Sequence, residues 1–124
     1  MARFVAVCNQ KGGVAKTTTC LSLGGSLADI GQKVLLVDLD PQANLTMSVA
    51  IQPDSLEYTV ADVVMGSTSL LSVSRVTGVR DLDIVPSNAT LAVLEKALYG
   101  RRRYEHLLKR AAMDMDPALY DYVL

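Results

Sequence analysis

Three short apolar runs punctuate the chain: Phe4 to Cys8 (FVAVC), Val34 to Val37 (VLLV) and Leu82 to Val85 (LDIV). Each is too short for a stable helix and rich in residues that suit a pleated surface, so each reads as a strand. The first two are continuous rather than alternating in polarity. That is the pattern of strands covered on both faces in a parallel sheet. Phe4 to Cys8 is therefore expected to be a central, buried strand. After Pro117, Tyr120 to Leu124 (YDYVL) reads as a strand just begun.

Between these runs the spacing turns helical. Leu21, Leu23, Leu27, Ala28 and Ile30 predict a helix from about Lys16 to Ile30, stopped by Gly31. Gly24 and Gly25 fall inside it. Each is unfavourable there by about 1 kcal/mol relative to alanine, which close packing against the sheet would explain. Ile51 to Tyr58, with Pro53, reads as a polar connection. Thr59 and Asp62 form a capping signal for a short helix through Met65, ended by Gly66. Ser67 to Ser74 reads as a turn and a short helical piece. Pro86 ends the third strand, and Ser87 or Asn88 caps a helix from about Ala89 to Tyr99. Leu91, Leu94 and Leu98 share its apolar face, and Gly100 stops it.

Strand, helix and strand in this order imply a parallel crossover. The expected fold class is α/β: a parallel sheet flanked by helices on both faces. The segments following the first two strands would then lie at the carboxyl ends of adjoining strands, where such sheets bind ligands.

The first of those segments is Asn9 to Thr18, NQKGGVAKTT. Unpaired N–H groups at a helix N-terminus, with the helix dipole, suit a polyphosphate. Gly12 and Gly13 let the backbone approach closely. Gly12, Gly13, Val14, Ala15, Lys16, Thr17 and Thr18 form the candidate phosphate cradle. Lys16 would reach the β/γ-phosphates, and the Thr17 hydroxyl would ligate Mg²⁺. The general pattern G-x-x-x-x-G-K-[ST] is not met, because Gln10 and Ala15 replace its glycines. The narrower pattern K-G-G-x-x-K-T is met by Lys11, Gly12, Gly13, Lys16 and Thr17. The second segment carries Asp38 and Asp40. Along an extended strand the two would point the same way. Asp38 would hold Mg²⁺ through water and Asp40 would orient an attacking water.

These residues resemble the deviant Walker A motif of the ParA/MinD family of ATPases, and VLLVDLDPQANLT resembles the first switch segment of its ParA branch. The resemblance implies a P-loop NTPase fold of the SIMIBI type. It implies that Lys11 reaches the nucleotide of a partner subunit, that Lys16 is the ordinary P-loop lysine, and that Asp40 is the hydrolysis residue. The catalytic set is then Lys11, Lys16 and Asp40, and Lys11 joins the nucleotide-binding residues. The metal set is Thr17 and Asp38, and the cofactors are ATP/ADP and Mg²⁺. The family usually has Gly at the position of Ala15. If that position needs a positive φ, alanine costs about 1 kcal/mol or more there. If it needs only to be small, alanine costs nothing.

The resemblance covers essentially the whole chain but about the first half of a family member. The strand at Tyr120 to Leu124 would lead into Walker B, so the chain is expected to be truncated before that motif. The open sheet edge this leaves would favour oligomers. The whole protein would partition chromosomes or plasmids. It would form a homodimer, bind DNA without sequence preference through the missing C-terminal half, and answer to a ParB-like stimulating protein.

Composition adds limits. At 124 residues the chain is one domain, 1–124, read as the N-terminal nucleotide-binding region. Its net charge of −1 exerts no global pull toward nucleic acid. Arg101 to Arg103 with His106, Lys109 and Arg110 reads as a solvated helix face, with Leu107, Leu108 and Ala111 inward. No apolar run approaches a membrane span, and the chain is expected in the cytoplasm, associated with the nucleoid. Cys8 and Cys20 read as small buried hydrophobes. Three rival readings stand beside the partition ATPase. One is a MinD-like or cargo-positioning ATPase, whose membrane form needs an amphipathic C-terminal helix. Another is an ATP-dependent amide synthase, against which the Asp40-Pro41-Gln42 string speaks. The last is a non-catalytic nucleotide-binding domain.

Overall fold

The computed structural model describes residues 2–7, 13–97 and 101–124, with the backbone alone at 13–14 and 101–105. The expectations placed on Cys8, Lys11, Gly12, Leu98, Tyr99 and Gly100 lie outside the described residues.

Five strands form one sheet: β1 (Arg3–Phe4), β2 (Val34–Val37), β3 (Arg75–Val76), β4 (Leu82–Val85) and β5 (Tyr122–Val123). Their spatial order is β1-β5-β2-β4-β3. The pairs β1–β5, β5–β2 and β2–β4 are parallel. The helices are α1 (Gly13–Asp29), α2 (Asn44–Ser48), α3 (Val60–Val64), α4 (Leu70–Val73), α5 (Thr90–Ala97) and α6 (Arg101–Met113). No helix among the described residues is long and apolar enough to cross a membrane.

Side-chain alternation splits the core into two layers. Leu35, Val85 and Val123 pack with α3, α4 and α5, together with Met115 and Tyr120. Val34, Leu36, Leu82, Ile84 and Leu124 pack with Cys20 and Ala28 of α1 and Leu45 of α2. Helices thus cover both faces of the β2–β4 pair, which is why all its residues but Asp83 are apolar. In α6, Leu107, Leu108 and Ala111 pack against the first layer, while His106, Lys109 and Arg110 are exposed.

The short helices form where the sequence signals them. Thr59 and Asp62 make the reciprocal capping box of α3, and Gly66 follows with φ +82. The Ser69 side chain accepts the Ser72 N–H to start α4. Asn88, rather than Ser87, caps α5 by accepting the Thr90 N–H at 3.0 Å.

Three sequence expectations are corrected. First, β1 is neither central nor buried. Phe4 is 52% exposed and Val5 39%, because β1 stands at the sheet edge and no described element packs on its outer side. Second, β1 and β2 do not adjoin. β5 lies between them: Val5 donates to the Val123 carbonyl at 2.8 Å, and Leu124 donates to the Leu35 carbonyl at 2.9 Å. Third, the sheet is not wholly parallel. β3 runs antiparallel to β4, since the short connection between them can only double back.

The inward face of α1 also differs from the expected one. Ile30 is 72% exposed and Leu23 points outward. Cys20, Gly24 and Ala28, spaced four apart, face the sheet instead. Small residues there bring the helix close. A Cβ on Gly24 would stand 3.0 Å from Leu36 Cδ2, whereas one on Gly25 would meet nothing within 4 Å. Gly31 stops the helix as expected, at φ +85.

Candidate functional site

One cavity of about 520 Å³ lies where α1 begins and β2 ends. Lys16, Thr17 and Cys20 of α1 line it, as do Asp38, Leu39, Asp40 and Pro41 after β2. Phe4 to Val7 close it on the β1 side. Four of the predicted site residues, Lys16, Thr17, Asp38 and Asp40, therefore share one space. Ala15 and Thr18 are exposed and do not line it. Gly13 and Val14 begin the helix, and the first four N–H groups of a helix have no partner within it.

The helix starts three residues earlier than the apolar spacing predicts, and this settles the Ala15 question. Ala15 is helical and is not among the residues of positive φ. Alanine at this position carries no backbone strain. Its carbonyl accepts the Thr19 hydroxyl at 2.8 Å.

Asp38 and Asp40 reach the cavity from the end of β2. β2 ends at Val37, yet the Asp38 N–H still donates to the Val85 carbonyl at 3.1 Å, the turn comes only at residues 41–42, and Asp38 and Asp40 both line the cavity. Asp38 is 3% exposed. Its Oδ2 accepts the Thr46 hydroxyl at 2.7 Å and the Thr46 N–H at 3.0 Å. Its Oδ1 accepts the Asp40 N–H at 3.1 Å. Burial pushes the Asp38 pKa up, these hydrogen bonds oppose that, and the Asp40 charge adds to the rise. Asp40 is half-buried. Its Oδ1 accepts the Gln42 N–H at 2.9 Å, and its carbonyl accepts the Ala43 N–H at 2.9 Å.

A carboxylate offers about four acceptor positions. With three taken, Asp38 has room on Oδ1 for one further donor, such as a metal-bound water. With both positions on Oδ2 taken, any further partner of Asp38 comes to Oδ1. Among the described residues no group of three or more His, Cys, Asp and Glu could hold a metal ion by itself. Cys20 is buried, and burial foremost, then Asp38, raises its thiol pKa. It behaves as the small hydrophobe expected.

Thr46 and Ser87 escape the sequence reading. The Thr46 hydroxyl also accepts the Ser87 N–H at 3.0 Å, and both residues are fully buried. No local signal marks Thr46, because α2 reads NLTMS and its other polar residues, Asn44 and Ser48, are not buried. The flanking backbone is strained. Ala43 has φ 57 and Ala50 has φ 63, in a region costing an L-residue about 1–2 kcal/mol. The five-residue α2 is held between these two alanines.

The AAA_31 family model, described as an AAA domain, matches residues 2–124. The chain belongs to this family. The AAA_31 chain is 40% identical over its whole length to the sporulation initiation inhibitor protein Soj of Bacillus subtilis, covering 49% of that protein. It is 38% identical over 109 residues to the chromosome partitioning protein ParA of Caulobacter vibrioides, with 88% of this chain and 41% of that protein covered. A solved structure of cobyrinic acid a,c-diamide synthase from Mycobacterium smegmatis, with bound ATP analogue and magnesium, is 42% identical with a TM-score of 0.90. That match covers 99% of this chain and 50% of the other. In sequence and fold the chain is of the ParA/MinD type. It spans about half the length of the curated relatives it matches.

Proposed function

We propose that this chain is the nucleotide-binding half of a ParA-type partition ATPase and that it binds ATP or ADP with Mg²⁺. The single observation carrying this reading is the shared cavity of Lys16, Thr17, Asp38 and Asp40. A cation and a hydroxyl at a helix start face two carboxylates, the set that a metal–polyphosphate complex requires. In this reading the backbone from Gly12 to Thr18 holds the phosphates. Lys16 and Lys11 neutralise their charge, Lys11 across a homodimer interface. Thr17 ligates Mg²⁺ directly, Asp38 does so through water, and Asp40 orients the attacking water. In the whole protein, ATP-dependent dimers would bind DNA without sequence preference and be released by a ParB-like partner during chromosome or plasmid partitioning.

The test is a calorimetric titration of this chain with Mg²⁺ and a non-hydrolysable ATP analogue. Saturable binding is expected, with Lys16→Ala weakening it at least about 100-fold, since two or more charge-assisted contacts are lost. Binding that survives Lys16→Ala unchanged would sink the site.

A second reading is favoured by the 42% identity to a protein described as an amide-forming synthase. It predicts that cobyrinic acid and ammonia raise phosphate release in the whole protein. The partition reading predicts that DNA and a ParB-like partner do so instead.

A further inference from the structure

Among the described residues, Thr46 joins three segments of the site at once. Its N–H and hydroxyl both donate to Asp38 Oδ2, at 3.0 and 2.7 Å. Its hydroxyl oxygen accepts the Ser87 N–H at 3.0 Å. A hydroxyl has one proton to donate. Because that proton goes to Asp38, the oxygen faces Ser87 as acceptor, and the direction of the chain of hydrogen bonds is fixed. Asp38, Thr46 and Ser87 are all buried, so water does not substitute for any of these partners.

The surroundings make this contact decisive. α2, which carries Thr46, is flanked by left-handed Ala43 and Ala50 and needs an anchor to stay seated. On one side of the anchor lies the Asp38–Gln42 turn, closed by the Asp40 N–H on Asp38 Oδ1. On the other side, Ser87 leads through the Asn88 cap into α5. Among the described residues the buried Ser87 hydroxyl has no partner, and the backbone N–H makes the connection.

We propose that Thr46 is a positioning residue: it sets the Asp38 carboxylate and, through the Ser87 amide, couples the Asp38–Gln42 turn to the segment that starts α5. The geometry stands independently of the nucleotide-site reading. Its consequence for magnesium rests on that reading.

The test compares Thr46→Val with Thr46→Ser in the full chain. Valine keeps the shape and removes the hydroxyl, whereas serine restores it. Backbone amide hydrogen exchange is measured at Asp40 and Ser87, and binding of the non-hydrolysable ATP analogue is measured with and without Mg²⁺. Thr46→Val should speed exchange at both amides by about tenfold or more. It should weaken the magnesium-dependent part of binding by about tenfold while sparing binding without Mg²⁺. Thr46→Ser should restore both. Unchanged exchange at Asp40 and Ser87 in Thr46→Val, or a serine variant that behaves like valine, overturns the proposal. If Thr46→Val does not fold, the unmodified chain decides. Coupling requires the Asp40 and Ser87 amides to exchange at a common rate, and rates more than about tenfold apart overturn it. If the unmodified chain binds no nucleotide, the site reading fails, and the exchange measurements still decide the role of Thr46.

Discussion

The β2–β4 pair and the edge strand β1 belong to one parallel run of strands, yet they live in opposite environments. Val34, Leu35, Leu36, Ile84 and Val85 are wholly buried, with α1 and α2 over one face and α3 to α5 over the other. At β1, Phe4 and Val5 have similar apolar character and remain largely open. The lesson concerns what an apolar run encodes. It states that a strand is to be covered and says nothing of which element covers it. The β2–β4 pair finds its cover within these residues, and β1 does not. The cavity joins the two regimes: its carboxylates stand on the finished pair and its far wall is the open strand.

Truncating one residue from each region breaks the comparison most severely if it is wrong. Leu36→Ala empties a fully enclosed site between α1 and the sheet and is expected to cost about 2–5 kcal/mol. Phe4→Ala removes a side chain already half in water, so it should cost about 1 kcal/mol or less, since little area leaves the interior. Denaturant unfolding of both variants measures the contrast. Equal losses would mean that β1 is as well packed as β2.

The next contrast is finer and lies on one helix. Gly25→Ala puts a methyl into open space in α1 and should gain about 1 kcal/mol of stability from helix propensity. Gly24→Ala puts one 3.0 Å from Leu36 and 3.2 Å from Leu82. Both neighbours are side-chain methyls that must give way slightly in a packed face, which should leave Gly24→Ala about 1–2 kcal/mol behind Gly25→Ala. Thermal unfolding of the pair reports the difference. Equal gains would show that the α1–sheet contact is looser than the geometry says.

What the sequence makes legible follows the same divide. The spans of β2 and β4 are readable to the residue, because a buried apolar run bounded by Asp38 or Pro86 admits one reading. The capping box at Thr59 and Asp62 and the stop at Gly31 are equally plain, since each depends only on near neighbours. The edge position of β1, the insertion of β5 and the reversal of β3 are not readable, because strand order is a long-range choice that local pattern does not carry. In the site, Lys16, Thr17, Asp38 and Asp40 are legible from chemistry and spacing, and the cavity brings them together. Thr46 and Ser87 are not, because their value lies in contacts with partners 8 and 41 residues away. The inward face of α1 is misread for a related reason. Large apolar residues at helical spacing suggest Leu23 and Ile30, but a close-packed interface selects small ones.

The smallest expected effect tests a side-chain tie between the residues leading into β5 and the finished pair. The Tyr120 hydroxyl donates to Asp83 Oδ2 at 2.7 Å. Burial foremost, then this carboxylate, pushes the Tyr120 pKa up to about 12 from an ordinary 10.0. The sign of the pH dependence follows from linkage. Below pH 10 the phenol is protonated in both folded and unfolded chains, and the stabilisation is complete. Between 10 and about 12 the unfolded phenol ionises while the folded one keeps its proton, so stability falls as pH rises. Tyr120→Phe should lower stability near neutral pH by about 1 kcal/mol, the worth of one hydrogen bond. It should also flatten the alkaline loss in that window. Denaturant midpoints at pH 8, 10 and 11 compare the two chains (the pH values are about those that bracket the ordinary tyrosine range). An unchanged alkaline slope in Tyr120→Phe would mean that the Tyr120–Asp83 hydrogen bond does not carry the alkaline loss, and that β5 is held to the β2–β4 pair by its backbone and by the packing of Val123.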